Sequence, residues 1–491
     1  MKIKTAEEIK SAARLEATPH ETETADRGRV NSDADGKQAH APNYRKDSAT
    51  SEYLAGNGEH EHEETEDKGP QPLAYAGPPW PSPMGADALH GLTGDIVRRI
   101  EPHTESDPAA ILVQFLIAFG NVAGRGAHWI AESTPHFTNE FAVIVGESSI
   151  ARKGTSLDRV LSLFLQADKY WTDHRTASGL VSGEGLIFHI RDPRFDPEGQ
   201  VEDPGIKDKR LFVCESEFAQ VLSSGARKDN TLSVVIRNAW DGKKLRSLAK
   251  NSGKGGDIAT DPHVSIVGHI VHEELKAKLA NHDAVNGVVN RFLWACSRRS
   301  KHLPFGGNLK AEDCEDLTAK IHTAIAWAKD RGEIGFSEQA SELWADCYPG
   351  LNQPVPGVFG SAVSRAPAHV RRVAVIYALL DCADKVDVCH LKAALAVWRY
   401  CYASAEFLFG GLSQKARDVF ERLRSAYPAE MSKTDLFKEF RNNISAGELA
   451  KSLDELRKAG MAASRREQNH GAPSELWRAC EPSPTSNGAK L

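Results

Sequence analysis

The chain has 491 residues, 41% of them hydrophobic, which is enough for about two to four globular domains. Its formal net charge of -6 excludes a globally basic nucleic-acid-binding protein, so any contact with nucleic acid must come from local patches. No apolar run approaches the roughly 20 residues that cross a bilayer, and the eight scattered cysteines form no C-x-x-C pair. We therefore expect no membrane association and a reduced, cytoplasmic protein without a disulfide framework or a zinc module.

The first 70 residues are polar, acidic and poor in aromatic residues, which predicts a disordered tail. His60 and His62, in the segment GEHEHEE, could bind a metal ion, and a solvated acidic tail is the alternative. Residues 71–140 are predicted to hold a Pro-rich linker and two helices that form an N-terminal helical collar. The second helix is predicted to be capped by Asp107, with Pro108 in its first position.

Residues 141–159, FAVIVGESSIARKGTSLDR, have the order of strand, loop, basic and hydroxyl residues, and helix that phosphate-binding loops use. In such loops backbone N–H groups hold phosphate oxygens, Lys adds positive charge and a hydroxyl group ligates Mg²⁺. The predicted nucleotide-binding residues of this segment are Gly146, Arg152, Lys153, Gly154, Thr155 and Ser156, with Thr155 as a ligand of Mg²⁺. The spacing departs from G-x-x-x-x-G-K-[ST], because Ala151 replaces the second glycine and Gly154 follows the lysine. A strand-to-helix turn without a ligand is therefore the alternative.

A second apolar run, residues 211–217, ends in Glu215, Ser216 and Glu217. A strand that ends in carboxylates near a phosphate loop can hold Mg²⁺ and polarise an attacking water. We predict that Glu215 positions Mg²⁺ or water and that Glu217 is the alternative general base; an ordinary buried strand with exposed acids would look the same. A third predicted strand ends at His269, which either senses the γ-phosphate or is a core histidine.

Residues 245–259 are predicted to form a β-hairpin around a turn rich in Gly and Lys. The basic residues in and beside it are Lys243, Lys244, Arg246, Lys250 and Lys254. In a ring such a hairpin could point into the pore and contact single-stranded DNA, and a solvated loop is the alternative.

The core predicted for residues 141–305 is followed by a helical lid over residues 306–411. Residues 412–480 are predicted to form three helices and two strands, the pattern of a winged helix, and residues 481–491 a disordered tail. Arg465 and Arg466, in the first of these strands, are the candidate contacts with duplex DNA. The third helix carries acidic as well as basic residues, so contact with a protein is the alternative.

This succession of motifs resembles that of the ring-forming AAA+ ATPases, and within them the minichromosome-maintenance type of replicative helicase. The segment NRFLW, residues 290–294, is similar to that family's Ser-Arg-Phe box, whose arginine reaches the nucleotide of the neighbouring subunit. The resemblance implies this role for Arg291. Arg365 and Arg372 are similar to the start of the family's sensor-2 helix, which implies that Arg365 contacts nucleotide from the lid.

A closer resemblance is to a family of helicase-like proteins carried by phages, plasmids and integrated elements. It covers roughly residues 75–480 and rests on the segments GESSIARKGTS, GEGLIFHIRD, ESEFAQVL, RNAWDGKKL, SIVGHI, NRFLWACSRRSK and HLKAALAVWRY. It implies an α/β P-loop NTPase (AAA+/RecA-like) core with an N-terminal helical collar, a helical lid and a C-terminal winged helix. ATP and Mg²⁺ are the implied cofactors.

The implied function is that of an ATP-dependent, helicase-like DNA motor that replicates a mobile genetic element. The implied partners are DNA, further copies of the chain in a homo-oligomeric ring and a separate primase, since no primase module is visible in the sequence. Two alternatives remain open. One is a nucleotide-gated or non-catalytic DNA-binding initiator, loader or regulator, and the other is a defence-related ATPase.

Overall fold

The chain has a mixed α/β fold that is built around a central sheet of five parallel strands. The computed structural model describes residues 78–148, 150–227, 230–246, 256–280, 287–355, 357–440, 443–467 and 474–480. Numbered along the chain, the strands are β1 (His128–Ala131), β2 (Thr134–Phe137), β3 (Phe141–Val145), β4 (Thr176–Ala177), β5 (Arg194–Phe195), β6 (Val201–Asp203), β7 (Arg210–Glu215), β8 (Leu245–Arg246), β9 (Ile258–Ala259), β10 (His263–Ile270), β11 (Phe292–Cys296), β12 (Met431–Ser432), β13 (Ala462–Glu467) and β14 (Ser474–Ala479).

Sixteen α-helices accompany these strands in the described ranges. They are α1 (Gly91–Ile100), α2 (Pro108–Ala123), α3 (Lys153–Ala167), α4 (Lys169–His174), α5 (Gly183–Phe188), α6 (Phe218–Gly225), α7 (Leu232–Trp240), α8 (His272–Ala280), α9 (Glu315–Lys329), α10 (Glu338–Leu351), α11 (Gly357–Val363), α12 (Ala366–Leu380), α13 (Val388–Phe409), α14 (Gln414–Ala426), α15 (Lys433–Glu439) and α16 (Ala446–Lys458). No helix in the described part of the chain is long and apolar enough to span a membrane.

The central sheet has the strand order β11-β3-β10-β7-β4, and each neighbouring pair is parallel. All five residues of β3 are buried, as is usual for a parallel strand that is covered on both faces. Because the strands are parallel, the loops after β3, β7 and β10 meet at one side of the sheet, here called the carboxyl edge. The residues that precede β3 and β11 lie at the opposite side, the amino edge.

The second collar helix, α2, lies against the sheet and contacts β3, β7, β10 and β11. It begins as predicted, because the Asp107 side chain accepts a hydrogen bond from the Ala109 N–H at 3.0 Å and Pro108 occupies the first turn. Its polar residues are buried as well. The Asn121 side-chain amide donates to the backbone oxygens of Leu211 and His263, at 3.1 and 3.0 Å, and so ties α2 to the amino ends of β7 and β10.

The structure differs from the predicted elements in several places. Within residues 71–140, predicted to hold a linker and two helices, strands β1 and β2 form an antiparallel hairpin. The spacing of Val160, Leu161, Phe164 and Leu165 predicts one helix over residues 157–170. The structure divides this segment into α3 and α4, because Asp168 ends α3 and its side chain caps α4 by accepting from the Trp171 N–H at 3.0 Å. The charged segment 193–209, whose Pro and Gly residues predict a surface loop, contains the small antiparallel hairpin β5–β6.

Residues 412–479 have a hydrophobic core of their own. The three predicted helices are present as α14, α15 and α16, and the two predicted strands, β13 and β14, pair in an antiparallel manner. A short additional strand, β12, pairs with β14 and completes a three-stranded sheet. The predicted tails, residues 1–70 and 481–491, lie outside the described residues, as do His60 and His62.

Candidate functional site

The loop between β3 and α3 presents the amino end of a fifteen-residue helix at the carboxyl edge of the sheet. No side chain of the described residues caps this helix end, so the first backbone N–H groups of α3 have no side-chain acceptor. Unpaired N–H groups and the helix dipole make such an end a binding site for anions. Arg152, in the N-cap position, has φ of 51°, a left-handed conformation that non-glycine residues rarely adopt.

Gly146 marks the point at which β3 ends and the loop approaches a neighbouring segment. A Cβ atom on Gly146 would lie 2.2 Å from the Ser297 backbone oxygen and 2.8 Å from the Ala151 Cβ. No other residue would fit at this close approach without moving the backbone. Gly154 has no such constraint, since a Cβ atom added to it would have no neighbour within 4 Å among the described residues.

The Lys153 ammonium group is held over the loop by backbone carbonyls. Its Nζ atom donates to the oxygens of Gly146 at 2.6 Å and Glu147 at 3.1 Å. Partial burial lowers the pKa of Lys153 from its ordinary value, although the nearby Glu274 carboxylate acts in the opposite direction. The side chain is thus preformed at the helix end where an anion would bind, and a phosphate oxygen would compete with the two carbonyls for its protons.

Lys153 faces an open cleft of about 840 Å³ to which three strands of the sheet contribute. The lining residues that carry polar groups are Glu147, Ser148, Arg152, Lys153, Thr155, Ser216, Glu217, Gln220, Ser223, His269, Glu274 and Lys278. They come from the segments after β3, β7 and β10, which parallel strand order brings to the same edge. The structure therefore brings Arg152, Lys153, Gly154 and Thr155 together with one carboxylate of the acidic strand and the predicted sensor histidine. The other two phosphate-loop candidates, Gly146 and Ser156, do not line the cleft.

The two carboxylates of the acidic strand have different positions. Glu215 is buried, and its carboxylate accepts from the Leu180 N–H at 2.7 Å and from the Gly179 N–H. Burial raises the pKa of Glu215 against the effect of these hydrogen bonds. Glu217 is exposed at the start of α6, where it contacts the Gln220 side chain and lines the cleft. Glu217, and not Glu215, is therefore the carboxylate that can reach a ligand beside Lys153.

A chain of buried hydrogen bonds runs under the phosphate loop and was not foreseen from the sequence. The Gln114 side chain of α2 donates from Nε2 to the Ser156 Oγ at 2.6 Å and to the Ala110 oxygen at 2.9 Å. Its Oε1 atom lies 2.8 Å from the His269 Nε2. The Ser156 hydroxyl in turn donates to the Lys153 oxygen at 2.7 Å, so this side chain is directed beneath the loop. The sequence signal that could have indicated this chain is a single Gln within an apolar helix, because a buried amide needs hydrogen-bond partners.

These contacts define the protonation state of His269. The Gln114 amide oxygen can only accept, so the His269 Nε2 carries the proton and Nδ1 is an acceptor. Burial, with the charge of Lys153 nearby, lowers the pKa of His269 to about 4. A neutral ring with this tautomer can accept a hydrogen bond from a water molecule through Nδ1, but it offers no second N–H to a phosphate oxygen.

Arg291 and Arg365 lie at the amino edge of the sheet, away from the Lys153 cleft. The Arg291 Nη2 is 3.1 Å from the Asp241 carboxylate and the Arg365 Nη1 is 3.8 Å from it, and both guanidinium groups lie over the Trp240 ring. The Arg291 side chain is 7% exposed and that of Arg365 is 35% exposed. Neither can contact a ligand in the Lys153 cleft of the same chain, since they approach opposite edges of the sheet.

Arg372 has a structural position. It is fully buried, its Nη2 donates to the Trp240 oxygen at 3.0 Å, and its Nε is 3.5 Å from the Glu140 carboxylate. His369 completes the group, with its Nδ1 2.7 Å from the same carboxylate. Arg372 therefore anchors α12 against the start of β3 and is not available to a ligand.

The candidate DNA-binding residues are partly described. Lys243, Lys244 and Arg246 are exposed at the base of the hairpin β8–β9, whereas Lys250 and Lys254 lie outside the described residues. Arg465 and Arg466 are exposed on β13, and Arg465 pairs with Glu430 at 2.7 Å and with Glu467 at 3.3 Å.

A scan against models of protein families gives no match to the chain, and a search of curated proteins gives no match either. The geometry of these residues and the resemblance of the sequence motifs are therefore what points to a function.

Proposed function

We propose that the chain is a P-loop ATPase of the AAA+ kind and acts as a helicase-like DNA motor of a mobile genetic element. The observation that carries the proposal is the meeting of Lys153 and Thr155 with Glu217 and His269 around an uncapped helix end. These groups lie at the carboxyl ends of three separate strands or in the segments that follow them, a meeting that a chance strand-to-helix turn would not require. A triphosphate needs this combination of N–H groups, a cation and a carboxylate near its terminal phosphate.

The order of the central strands supports a P-loop NTPase core. β10 lies between β3, which carries the phosphate loop, and β7, which carries the acidic residues. Because β10 lies between these two strands, His269 lies between Lys153 and Glu217 at the carboxyl edge. The arrangement fits the AAA+ resemblance of the sequence, with a strand-end polar residue between the phosphate loop and the carboxylate.

The residues of the cleft fit ATP and Mg²⁺ as cofactors. Lys153 and the amino end of α3 would bind the phosphates, and the exposed Thr155 hydroxyl and the Glu217 carboxylate would hold Mg²⁺. The metal would neutralise phosphate charge during transfer. Glu217 would also orient or deprotonate the attacking water, with the His269 Nδ1 as a second acceptor. Glu215 keeps the loop 179–180 beside the cleft.

The position of the arginines favours a site that is shared between subunits. Arg291 and Arg365 approach the amino edge, so in a head-to-tail ring they would reach the cleft of the next copy, which lies at the carboxyl edge of that copy. Burial lowers the pKa of Arg291, and the positive charges of Arg365 and Arg237 act in the same direction, against the effect of Asp241. A phosphate anion would neutralise the excess of positive charge that these three arginines bring to Asp241.

Two regions would contact DNA. The exposed cations at the base of the hairpin β8–β9 would follow single-stranded DNA in the pore of a ring. Residues 412–480, which we interpret as a winged helix, would contact duplex DNA through β13 and β14. Because Arg465 is paired with acidic neighbours, Arg466 is the more available cation of the two.

The second candidate is a nucleotide-gated DNA-binding initiator, loader or regulator that does not turn over ATP. The irregular phosphate loop favours this second candidate, because Ala151 stands in the place of a glycine and the Ser156 hydroxyl is turned under the loop.

Steady-state ATP hydrolysis with and without single-stranded DNA distinguishes the two candidate functions. We expect turnover that DNA stimulates and that Lys153→Ala abolishes, while Lys169→Ala, a change in an exposed ion pair with Asp173, leaves it intact. Nucleotide binding without turnover would favour the second candidate.

A further inference from the structure

Two histidines, a cysteine and an aspartate meet at a position remote from the Lys153 cleft. His90 directly precedes α1, and Cys389 and His390 lie in the first turn of α13. One potential ligand atom from each of these three residues lies within 4.8 Å of the others. Asp381, which follows α12, places its Oδ2 atom 2.6 Å from the His90 Nε2 and 3.2 Å from the His390 Nε2.

We propose that His90, Asp381, Cys389 and His390 form a structural zinc site. Imidazole nitrogen, thiolate sulfur and carboxylate oxygen are the ligand atoms that Zn²⁺ takes in proteins. In a tetrahedral site with zinc–ligand bonds of about 2.0–2.3 Å, the ligand atoms are roughly 3.5 Å apart. The Asp381 Oδ2 atom, 2.6 and 3.2 Å from the two imidazole nitrogens, is closer to them than this value, so these groups must move slightly apart. The Cys389 sulfur belongs to the 4.8 Å group with the two histidines but not with Asp381, so it must move toward the Asp381 carboxylate by more than about 1 Å.

The electrostatic surroundings favour a cation. The Asp381 carboxylate, which lies beside both imidazoles, supplies a negative charge that attracts a positive ion. Cys389 is exposed, and a surface cavity lined by Asp87, His90, Cys389 and Lys392 leads to the cluster, which gives an ion a path of entry.

Binding of a metal ion costs hydrogen bonds that the histidines of the cluster make without it. The His390 Nδ1 accepts a hydrogen bond from the Asp387 N–H at 2.9 Å, within the capping box that begins α13. Coordination through Nε2 puts the imidazole proton on Nδ1, so this bond is lost. Coordination of His90 and His390 through Nε2 also removes their two N–H hydrogen bonds to the Asp381 Oδ2. Zinc binding thus replaces three hydrogen bonds by metal–ligand bonds, which are the stronger interactions.

A zinc ion at this site would cross-link two parts of the chain that are distant in sequence. His90 belongs to the segment before the collar helices, whereas the other three ligands lie at the turn between α12 and α13, about 300 residues later. The cysteine spacing could not reveal such a site, because its ligands come from three separated segments. A metal at this turn would fix the start of α1 against the helices that carry Arg365 and Arg372.

The test is the zinc content and cobalt spectrum of the full chain, purified without a histidine tag. Because His60 and His62 could also bind metal, the reference protein carries His60→Ala and His62→Ala. We expect one zinc ion per chain in the reference, and a thiolate-to-metal charge-transfer band after replacement of zinc by cobalt. Cys389→Ser should abolish this band and weaken zinc binding at least about 100-fold, with competition against a chromophoric chelator as the readout.

The matched control is Cys347→Ser, which changes a half-buried thiol whose Sγ contacts the Trp344 oxygen. It should keep both the zinc and the cobalt band. His90→Ala should lose zinc while far-ultraviolet circular dichroism shows a folded chain. Zinc that is absent from the reference, even after addition of one equivalent, would overturn the proposal, and so would a Cys389→Ser variant that keeps the band.

Discussion

The different positions of Glu215 and Glu217 lead to opposite expectations for two otherwise identical substitutions. Glu217 lines the Lys153 cleft from the start of α6, whereas the Glu215 carboxylate is buried against the N–H groups of Gly179 and Leu180. Glu217→Gln should therefore remove a catalytic carboxylate without loss of stability. Glu215→Gln should destabilise the fold and leave the chemical step in place.

The expected loss of kcat in Glu217→Gln and the expected loss of stability in Glu215→Gln follow from the contacts of each carboxylate. Removal of a general base lowers kcat by about 10²- to 10⁴-fold, which raises the barrier by about 3–5 kcal/mol. A hydrogen bond to a charged group contributes about 1.5–3 kcal/mol. The glutamine at position 215 keeps one acceptor oxygen for Leu180 or Gly179 and turns an amide toward the other, so a loss of about 2 kcal/mol is expected.

The assay pairs ATP hydrolysis with urea unfolding, and each variant is the control for the other. Glu217→Gln should show kcat reduced by at least about 100-fold at an unchanged urea midpoint. Glu215→Gln should show a lower midpoint and kcat within a few-fold of the original chain. The reverse pattern, with turnover lost only in Glu215→Gln, would refute the assignment of roles that the hydrogen bonds support.

Three further outcomes are expected. Gln114→Leu should lower kcat about 10-fold or more at unchanged KM, because it cuts the hydrogen bond from α2 to His269, the proposed sensor. Gln166→Leu, which loses only a 3.5 Å contact on an exposed helix face, should leave kcat unchanged, and equal effects of the two variants would contradict the link. Arg372→Met should cost about 3–5 kcal/mol in unfolding experiments, since it removes the permanent cation beside the buried Glu140 carboxylate and leaves only His369 as its partner. Arg98→Met, which removes one partner of the exposed ion pair with Asp95, should cost less than about 1 kcal/mol. Burial lowers the pKa of His263 to about 3, so the unfolded chain binds more protons below its ordinary pKa of 6.5; stability should fall as the pH drops from 6.5, and His263→Gln should flatten this dependence.

The sequence was most informative where local chemistry determines local structure. Asp107 and Pro108 predicted the start of α2, and the three helices and two strands of residues 412–480 are present as expected. The break between α3 and α4 was missed because the apolar periodicity continues through it, while the capping role of Asp168 depends on a turn that periodicity does not report.

The candidate site was only partly predictable for a different reason. Lys153 and Thr155 are only two positions apart in the sequence, so a candidate phosphate loop could be predicted from a single segment. The role of Glu215 depends on the loop 179–180, which follows β4 and meets β7 only in the folded sheet. The link through Gln114 likewise joins α2 to β10 across 155 positions, which a single sequence does not reveal.

The mixing of two inactive variants tests the central proposal, an ATPase site shared between copies, most directly. Lys153→Ala removes the phosphate contact of a chain's own cleft, and Arg291→Lys removes the guanidinium group that it offers to the next chain while keeping a charge beside Asp241. We predict that each variant alone has almost no ATP turnover. In an equal mixture about a quarter of the interfaces would combine an intact cleft with an intact arginine, and turnover should recover in proportion. A mixture as inactive as its two components, or an Arg291→Lys chain as active as the original, would contradict the shared site.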